Sequence, residues 1–408
     1  MPRAVTSGSA LLCLLGLLIG SGAVWADPYD QAKRIHDRIA GVPPDPLVLE
    51  EMVELIQDQA SPQEIAAPAL EHPDFYRVTL KNFATPWTNR DQSVFAPLND
   101  YTATVIGAVR DEIDFRRILY ADLVYTGTAT SGAPAYQPDS NSHYEYLEAQ
   151  AIDLSDPALF AATSQSSLVS GLPSDATAGV ITTRGGARAF FYLGTNRAML
   201  RFTFLNHLCH DMEELQDETR PADRIRQDIS RSPGGDSRIF LNNCVACHAG
   251  MDPLSQAFAY YDYLHDLNSD PEGVHGRIHY NAVGQTDPRS DSRVTPKHHI
   301  NESTFPLGFV ITDDRWDNYW RQGPNAHLGW DPTLPGYGYG AKSLGEELAY
   351  SQAFAQCQAT KVFRSQCLRD PANQSDREQV EAMTAMLNGN GFNLKPLFAE
   401  SAHYCATQ

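Results

Sequence analysis

The sequence of 408 residues predicts a mainly α protein, and three observations carry that prediction. Apolar residues recur at helical spacing near the start, as at Ala32, Ile35 and Ile39. Helix-start signals are frequent, among them the run from Ser375 to Glu378, which has the form of a capping box. Residues 268–340 are rich in Gly, Pro, Asp and His and show no periodicity, so we expect a long irregular insertion there.

Residues 1–26 have the composition of a secretory signal peptide. Arg3 precedes an apolar run from Ala10 to Ile19, and small residues lead to Ala26 before Asp27. The run is too short to span a membrane, and no later stretch is apolar enough. We therefore expect cleavage before Asp27, loss of Cys13, no transmembrane anchor, and a protein that is periplasmic or secreted.

After the signal, the pattern divides into two parts. Residues 27–177 predict a helical N-terminal region, with helices expected over 74–83, 98–109 and 115–125. The polar stretch 163–177 is the best boundary, and residues 178–408 form the second part. There we expect helices over 187–193 and 197–208, an exposed charged helix over 220–229, and helices over 342–369.

The second part contains Cys244-Val-Ala-Cys247-His248, the C-x-x-C-H pattern that attaches a c-type haem. The chemistry uses two thiols because each adds to one vinyl group, and the next His reaches an axial position on the iron. A zinc half-site would need a second Cys/His pair at matching spacing. A thioredoxin-like pair would follow a strand and lack the His. The spacing therefore favours one covalent haem c.

The helix that carries the motif is expected to begin at Asp236 as its N-cap and to end at Gly250. Asp252-Pro253 then has the form of an N-cap and first position of another helix.

Cysteine usage agrees with that assignment. Six cysteines remain after cleavage and the haem uses two, which leaves Cys209, Cys357, Cys367 and Cys405 for disulfide bonds in an oxidising compartment. Four thiols allow three pairings. Closeness in sequence favours Cys357 with Cys367, and Cys209 would then pair with Cys405.

The second axial position of the iron decides between electron transfer and catalysis, because a Met or His there closes the site. Met383 and Met386 lie on a predicted helix, where Met383 belongs to an apolar stripe and Met386 is less well explained by packing. The irregular region supplies His299 as an alternative; the remaining candidates are His298, His327 and His210. Met251 lies three residues after His248 and would stay on the same side of the ring.

Residues from about 179 to 408 resemble a known group of domains. The matching residues are Cys244, Cys247, His248, Asp252-Pro253-Leu254, Ala257-Phe258 and Asp262, then Phe354, Cys357, Phe363, Cys367, Phe392-Asn393-Leu394-Lys395 and Ser401. In this pattern, C-x-x-C-H-x-x-x-D-P-L, the chain is similar to the cytochrome-like domains of unknown function in large planctomycete-type bacterial proteins. The resemblance implies an α-rich, cytochrome c-like haem domain in which Cys244, Cys247 and His248 bind haem c outside the cytoplasm.

Three functions are compatible with these features. The first is an exported monohaem cytochrome c that transfers single electrons to a redox partner. The second is a haem oxidase or peroxidase with an open iron face, and the third is a binding module in which haem is structural. The net charge of −19 argues against nucleic acid and anionic membranes, and it favours a partner with a basic docking patch. Acidity that merely keeps an exported protein in solution is an equally good explanation.

Overall fold

A computed structural model describes residues 27–193, 196–288, 290–299 and 304–407, and within them the protein is mainly α, as predicted. The predicted signal peptide lies outside the described residues. The α-helices are Pro28–Ala40 (α1), Pro46–Gln57 (α2), Pro62–Glu71 (α3), Leu80–Ala84 (α4), Asp100–Arg110 (α5), Ser142–Ala149 (α6), Gln165–Leu168 (α7), Arg184–Phe190 (α8), Asn196–His207 (α9), Ser237–Asn243 (α10), Val245–Ser255 (α11), Gly340–Ala349 (α12), Gln352–Cys367 (α13), Gln374–Gly389 (α14) and Lys395–Ala406 (α15). A π-helical turn, Phe75–Thr79, precedes α4.

The strands are short and pair only locally. They are Val124–Gly127 (β1), Phe160–Thr163 (β2), Tyr261–Leu264 (β3), Arg277–Tyr280 (β4), Arg315–Asp317 (β5) and Tyr337–Tyr339 (β6). They form three antiparallel pairs, β1 with β2, β3 with β4 and β5 with β6, in which Val124 lies opposite Thr163, Tyr261 opposite Tyr280 and Arg315 opposite Tyr339.

Helix α1 illustrates how local signals produce the N-terminal helices. The Asp27 carboxylate accepts a hydrogen bond from the backbone N–H of Tyr29, and Pro28 occupies the first turn, where its missing N–H costs nothing. Gly41 ends the helix at φ 77°, a left-handed conformation that glycine adopts without strain. The predicted stripe of Ala32, Ile35 and Ile39 is fully buried.

The two ends of the described chain pack together. Helices α1 and α3 lie against α15, and α13 lies against both α14 and α15. Two hydrogen bonds join the same regions: Arg38 donates to the carbonyl of Gln366, and the Gln63 amide donates to Glu400 at 2.6 Å. The N-terminal region and the last helices therefore share one hydrophobic core. The proposed division at 177/178 stays a prediction.

The helix predicted over 115–125 is wrong beyond its first turn. A 3₁₀ helix spans Phe115–Leu119, and strand β1 begins at Val124. Val124 and Tyr125 favour strands, and both are buried where β1 pairs with β2 and Tyr125 packs on Gly107 of α5. Tertiary pairing therefore overrides the local apolar pattern.

The irregular insertion is packed rather than open. Between the end of α11 and the start of α12, the described residues contain strands, turns and 3₁₀ helices only. Trp316 and Trp320 of this region are fully buried, so the insertion contributes to the core.

The four remaining cysteines form two disulfides, as their number predicts, but the preferred pairing is wrong. Cys209 bonds to Cys357 and Cys367 bonds to Cys405, with Cα–Cα distances of 5.3 and 5.5 Å. Cys357 and Cys367 both belong to α13, where ten residues correspond to about 15 Å of helix axis. Disulfide-bonded Cα atoms lie within about 7 Å of each other, so the separation of Cys357 and Cys367 along the helix excludes this pair.

Candidate functional site

The C-x-x-C-H segment lies at the junction of α10 and α11. Asp236 caps α10 as predicted, accepting a hydrogen bond from the backbone N–H of Arg238. Cys244 ends α10 and also precedes the first residue of α11. The N–H of His248 donates to the carbonyl of Cys244 at 3.1 Å, so Cys247 and His248 lie in the first turn of α11.

The two motif thiols are the free cysteines of the described chain, and both are half-buried. The Cys244 thiol lies 3.8 Å from the carbonyl of Ile239, and the Cys247 thiol lies 3.6 Å from the carbonyl of Met212. Burial, followed by the nearby acid Glu213, raises the pKa of Cys247 above its usual value. On the same short helix, Ile239 and Leu241 are 41% and 55% exposed, which leaves apolar surface beside Cys244.

A buried carboxylate orients His248. The imidazole Nδ1 donates to Oδ1 of Asp252 at 3.0 Å, and the Asp252 side chain is fully buried while that of His248 is 17% exposed. A proton held at Nδ1 leaves the Nε2 lone pair available, which is the form of a metal-binding imidazole. Carboxylate partners of this kind fix the ring and raise its basicity as a ligand.

Asp252 belongs to an ion network that local sequence does not reveal. Arg197 of α9 donates to both carboxylate oxygens of Asp252, at 2.6 and 3.0 Å, and also binds Asp228 at 2.8 and 2.9 Å. The backbone N–H of Arg226 donates to Asp252 at 3.2 Å. Burial opposes ionisation, yet Arg197 and His248 hold the pKa of Asp252 well below its usual range. The carboxylate behind His248 is therefore ionised.

Arg226 extends this network and explains why the charged helix predicted over 220–229 is wrong. The segment is irregular, Ile225 and Arg226 are buried, and Arg226 forms a parallel bridge with Phe309. Its guanidinium binds Asp228 at 2.9 Å and Asn196 at 2.9 Å. Burial, together with the nearby Arg197, lowers the pKa of Arg226 to about 10. Charged residues that suggested solvent exposure instead form a buried cluster.

The prediction that Gly250 ends the motif helix and Asp252 caps a new one is also wrong, since α11 continues to Ser255 with Pro253 inside it. A Cβ atom on Gly250 would lie 2.2 Å from the Trp320 indole, so the glycine serves close packing rather than helix termination. Asp252 is at a helix-interior position and directs its carboxylate to His248.

Two predicted axial-ligand candidates contact each other in a region that is hydrogen-bonded to the motif segment. The rings of His210 and His327 meet edge to face, 6.0 Å apart. Nδ1 of His210 contacts Glu214 at 3.1 Å, and Nδ1 of His327 contacts the carbonyl of Pro324 at 2.6 Å. Two hydrogen bonds connect the surroundings of these rings to the motif. The backbone N–H of Asp217 donates to the carbonyl of Ala246 at 3.1 Å, and the side chain of Asn325 donates to the carbonyl of Leu215, in the segment between His210 and Asp217, at 2.8 Å.

The other axial-ligand candidates have different surroundings. Met383 is buried in the main core, and Met386 is half-buried against that core. Both lie on α14, which packs on α13 and α15.

His298 is buried, and its Nδ1 accepts a hydrogen bond from Arg226 at 3.3 Å, so it belongs to the network behind Asp252. Burial and Arg226 hold its pKa well below the usual value. His299 follows the 3₁₀ turn Pro296–His298, and Met251 is 9% exposed, consistent with packing.

No protein-family model, curated protein or solved structure matches the chain. Among the described residues, no group of three or more His, Cys, Asp or Glu side chains is arranged to hold a metal ion. None of the described helices has both the length and the apolar character needed to cross a membrane.

Proposed function

We propose that the protein is an exported c-type cytochrome that carries one covalent haem and transfers single electrons to a partner protein. The observation that carries the proposal is the pairing of a C-x-x-C-H segment with a buried carboxylate on the motif imidazole. Both thiols are free while the other cysteines of the described chain are in disulfides. This division of the cysteines fits thioether attachment at the motif.

Each motif residue has a defined part in this proposal. Cys244 and Cys247 would form the thioethers, and His248 would bind the iron through Nε2 while Asp252 holds Nδ1. When bound, haem supplies a one-electron iron couple. The exposed side chains of Ile239 and Leu241 provide apolar surface that a porphyrin would cover. Among the candidates for a second iron ligand, His210 and His327 contact each other, and hydrogen bonds of nearby residues connect their segments to the motif, which favours them over Met383 and Met386.

The disulfides and the charge support the compartment and the partner class. Two disulfides are expected in a periplasmic or secreted protein, in agreement with the signal predicted at residues 1–26. A net charge of −19 favours a redox partner with a basic docking patch, and such association weakens as salt rises.

A haem oxidase or peroxidase is the second candidate, and the Asp252 contact favours it. If His248 held haem iron, the Asp252 carboxylate on Nδ1 would make the imidazole a stronger donor and so would favour the ferric state. Ferric iron with an open face reacts with peroxide, whereas a closed, low-spin site transfers electrons.

The test is expression with periplasmic haem-maturation machinery, followed by intact mass and absorbance spectra of the reduced protein with and without carbon monoxide. We expect a mass increase of one haem, lost in Cys244→Ala/Cys247→Ala. His248→Ala should change the spectrum, whereas His275→Ala, at an exposed imidazole, should not. A spectrum unmoved by carbon monoxide supports the carrier, and a shifted spectrum supports the oxidase or peroxidase. A chain that matures without covalent haem would overturn both.

A further inference from the structure

A cleft of about 540 Å³ lies among elements that the motif does not use. Its walls come from the end of α1, the π-helical turn and α4, and the second half of α13. The volume is within the range of small-molecule sites, which typically combine apolar walls with a few placed polar groups. This cleft has both.

One wall is aromatic. Phe83 and the buried Trp87 meet edge to face with ring centres 4.9 Å apart. Leu368, just after α13, lines the same cleft and is 70% exposed. A flat apolar ligand would cover surface that now faces solvent.

The facing wall carries positive charge without matching acid. Nζ of Lys361 lies 4.0 Å from the centre of the Trp87 ring, and within the described chain no carboxylate pairs with it. Burial, followed by the nearby Arg364, lowers the pKa of Lys361 well below 10.5. The guanidinium of Arg38 donates to the carbonyl of Gln366 at 3.1 Å. The described chain gives Arg38 no carboxylate partner either.

The other charges at the cleft are already compensated. Arg364 pairs with Asp370, and Asp37 pairs with Lys33. Among the described residues, Lys361 and Arg38 are therefore the two basic side chains of this cleft that have no acidic partner. An anion placed between Lys361 and Arg38 would favour the charged amine and satisfy its donors.

We propose that this cleft binds a small aromatic carboxylate, with its ring against Phe83 and Leu368 and its carboxylate between Lys361 and Arg38. Site and ligand class are independent of the haem proposal, because no motif residue lines the cleft.

Calorimetric titration of the full mature chain with sodium benzoate tests this inference, with acetate and inorganic phosphate as comparison anions. We expect saturable binding of one benzoate, and both comparison anions at least tenfold weaker because they lack the ring. Lys361→Met should weaken benzoate binding roughly tenfold or more, as expected for a lost charged contact. Lys361→Arg should stay within a few-fold, since arginine also stacks on tryptophan.

Lys342→Met is the matched control, because Lys342 binds the carbonyl of Ser174 outside the cleft and its loss should leave binding unchanged. Thermal melting of each variant separates loss of binding from loss of fold, and Arg38→Gln tests the same anion position if Lys361→Met does not fold. Absence of saturable benzoate binding, equal binding of phosphate, or wild-type affinity in both Lys361→Met and Arg38→Gln would overturn the proposal.

Discussion

Asp252 is fully buried and accepts hydrogen bonds from the His248 ring, the Arg197 guanidinium and the backbone of Arg226. We predict that Asp252→Asn lowers stability by about 3 kcal/mol, because the neutral amide leaves buried cations poorly compensated. If His248 is the haem ligand, the same change should also raise the reduction potential, since the imidazole becomes a weaker donor. Melting and potentiometric titration measure these effects.

Asp236→Asn is the control for Asp252→Asn, because Asp236 caps the motif-bearing α10 from a partly exposed position. An Asp252→Asn protein with wild-type stability would contradict the stabilising role of the network. A protein with lowered stability and an unchanged potential would instead contradict the proposed link between Asp252 and the iron.

Asp376 provides a residue-scale prediction of pH dependence. Arg369 binds both of its oxygens, Tyr404 donates to it at 2.9 Å, and these contacts hold its pKa below the ordinary 3.8. The stabilisation of the folded state by the ionised Asp376 carboxylate is fully present above pH 3.8 and is lost as the pH falls below that value. The reason is that the unfolded chain then takes up a proton at this carboxylate, whereas the folded chain does not. Asp376→Asn should therefore flatten the decline in melting temperature between about pH 5 and pH 2.5.

Asp139→Asn is the matched change for that experiment, since Asp139 is exposed in the loop before α6. It should preserve the wild-type pH profile. If Asp376→Asn and Asp139→Asn had the same profile, the Arg369 contact would not contribute to acid sensitivity.

Sequence alone identifies the motif residues and the four disulfide cysteines, because their chemistry is carried by residue type and count. It does not identify Arg197 and Arg226 as partners of Asp252, or Asp228 as the second acid that binds Arg197. These residues belong to α9 and to an irregular segment, and they lie 24 to 55 positions before Asp252 in the sequence. Their contacts therefore leave no pattern of spacing that could be recognised in the local sequence. The one available signal was the charged 224–228 segment, which has the composition of an exposed helix.

At the scale of elements, the packing of α11 depends on the absence of a side chain at Gly250. A Cβ there would lie 2.2 Å from the fully buried Trp320 ring, which has no room to move. We predict that Gly250→Ala lowers stability by about 1 to 3 kcal/mol through overpacking. Chemical denaturation followed by circular dichroism measures this change.

Gly389→Ala is the element-scale control, because Gly389 is also helical and has nothing within 4 Å of an added Cβ. It should leave stability unchanged or raise it by up to about 1 kcal/mol through helix propensity. Equal destabilisation by the two substitutions would contradict the packing argument.

Apolar periodicity predicted the buried stripe of α1 and the position of α5, whereas the cap signals failed around Gly250 and Pro253. Glycine and proline are local helix-ending signals, whereas the continued helix depends on packing of α11 against α9 and against Trp320, some seventy residues later. The capping box of α14 begins two residues earlier than predicted, and a residue outside the helix again contributes to its position. Asn373 and Asp376 form it, rather than the predicted Ser375 and Glu378, and Asp376 is also fixed by Arg369.

At the scale of the whole molecule, the disulfides join elements that are distant in sequence. One connects Cys209, the second residue after α9, to α13, and the other connects the end of α13 to α15, which itself packs on α1 and α3. Sequence gives the number of bridges but not their partners, because helix α13 turns its two cysteines toward different neighbours. The hydrophobic core also joins residues that are distant in sequence, because it contains side chains from both sides of the proposed 177/178 division.

The two bridges close loops of different length, which leads to a whole-molecule prediction. The Cys209–Cys357 bridge spans 148 residues and Cys367–Cys405 spans 38. In the chain-entropy model these bridges stabilise by about 5 and about 4 kcal/mol. Cys209→Ser/Cys357→Ser should therefore lower the free energy of unfolding more than Cys367→Ser/Cys405→Ser, by about 1 kcal/mol in denaturant titrations. The reverse order would mean that local packing around Cys405 outweighs the entropy of the unfolded chain.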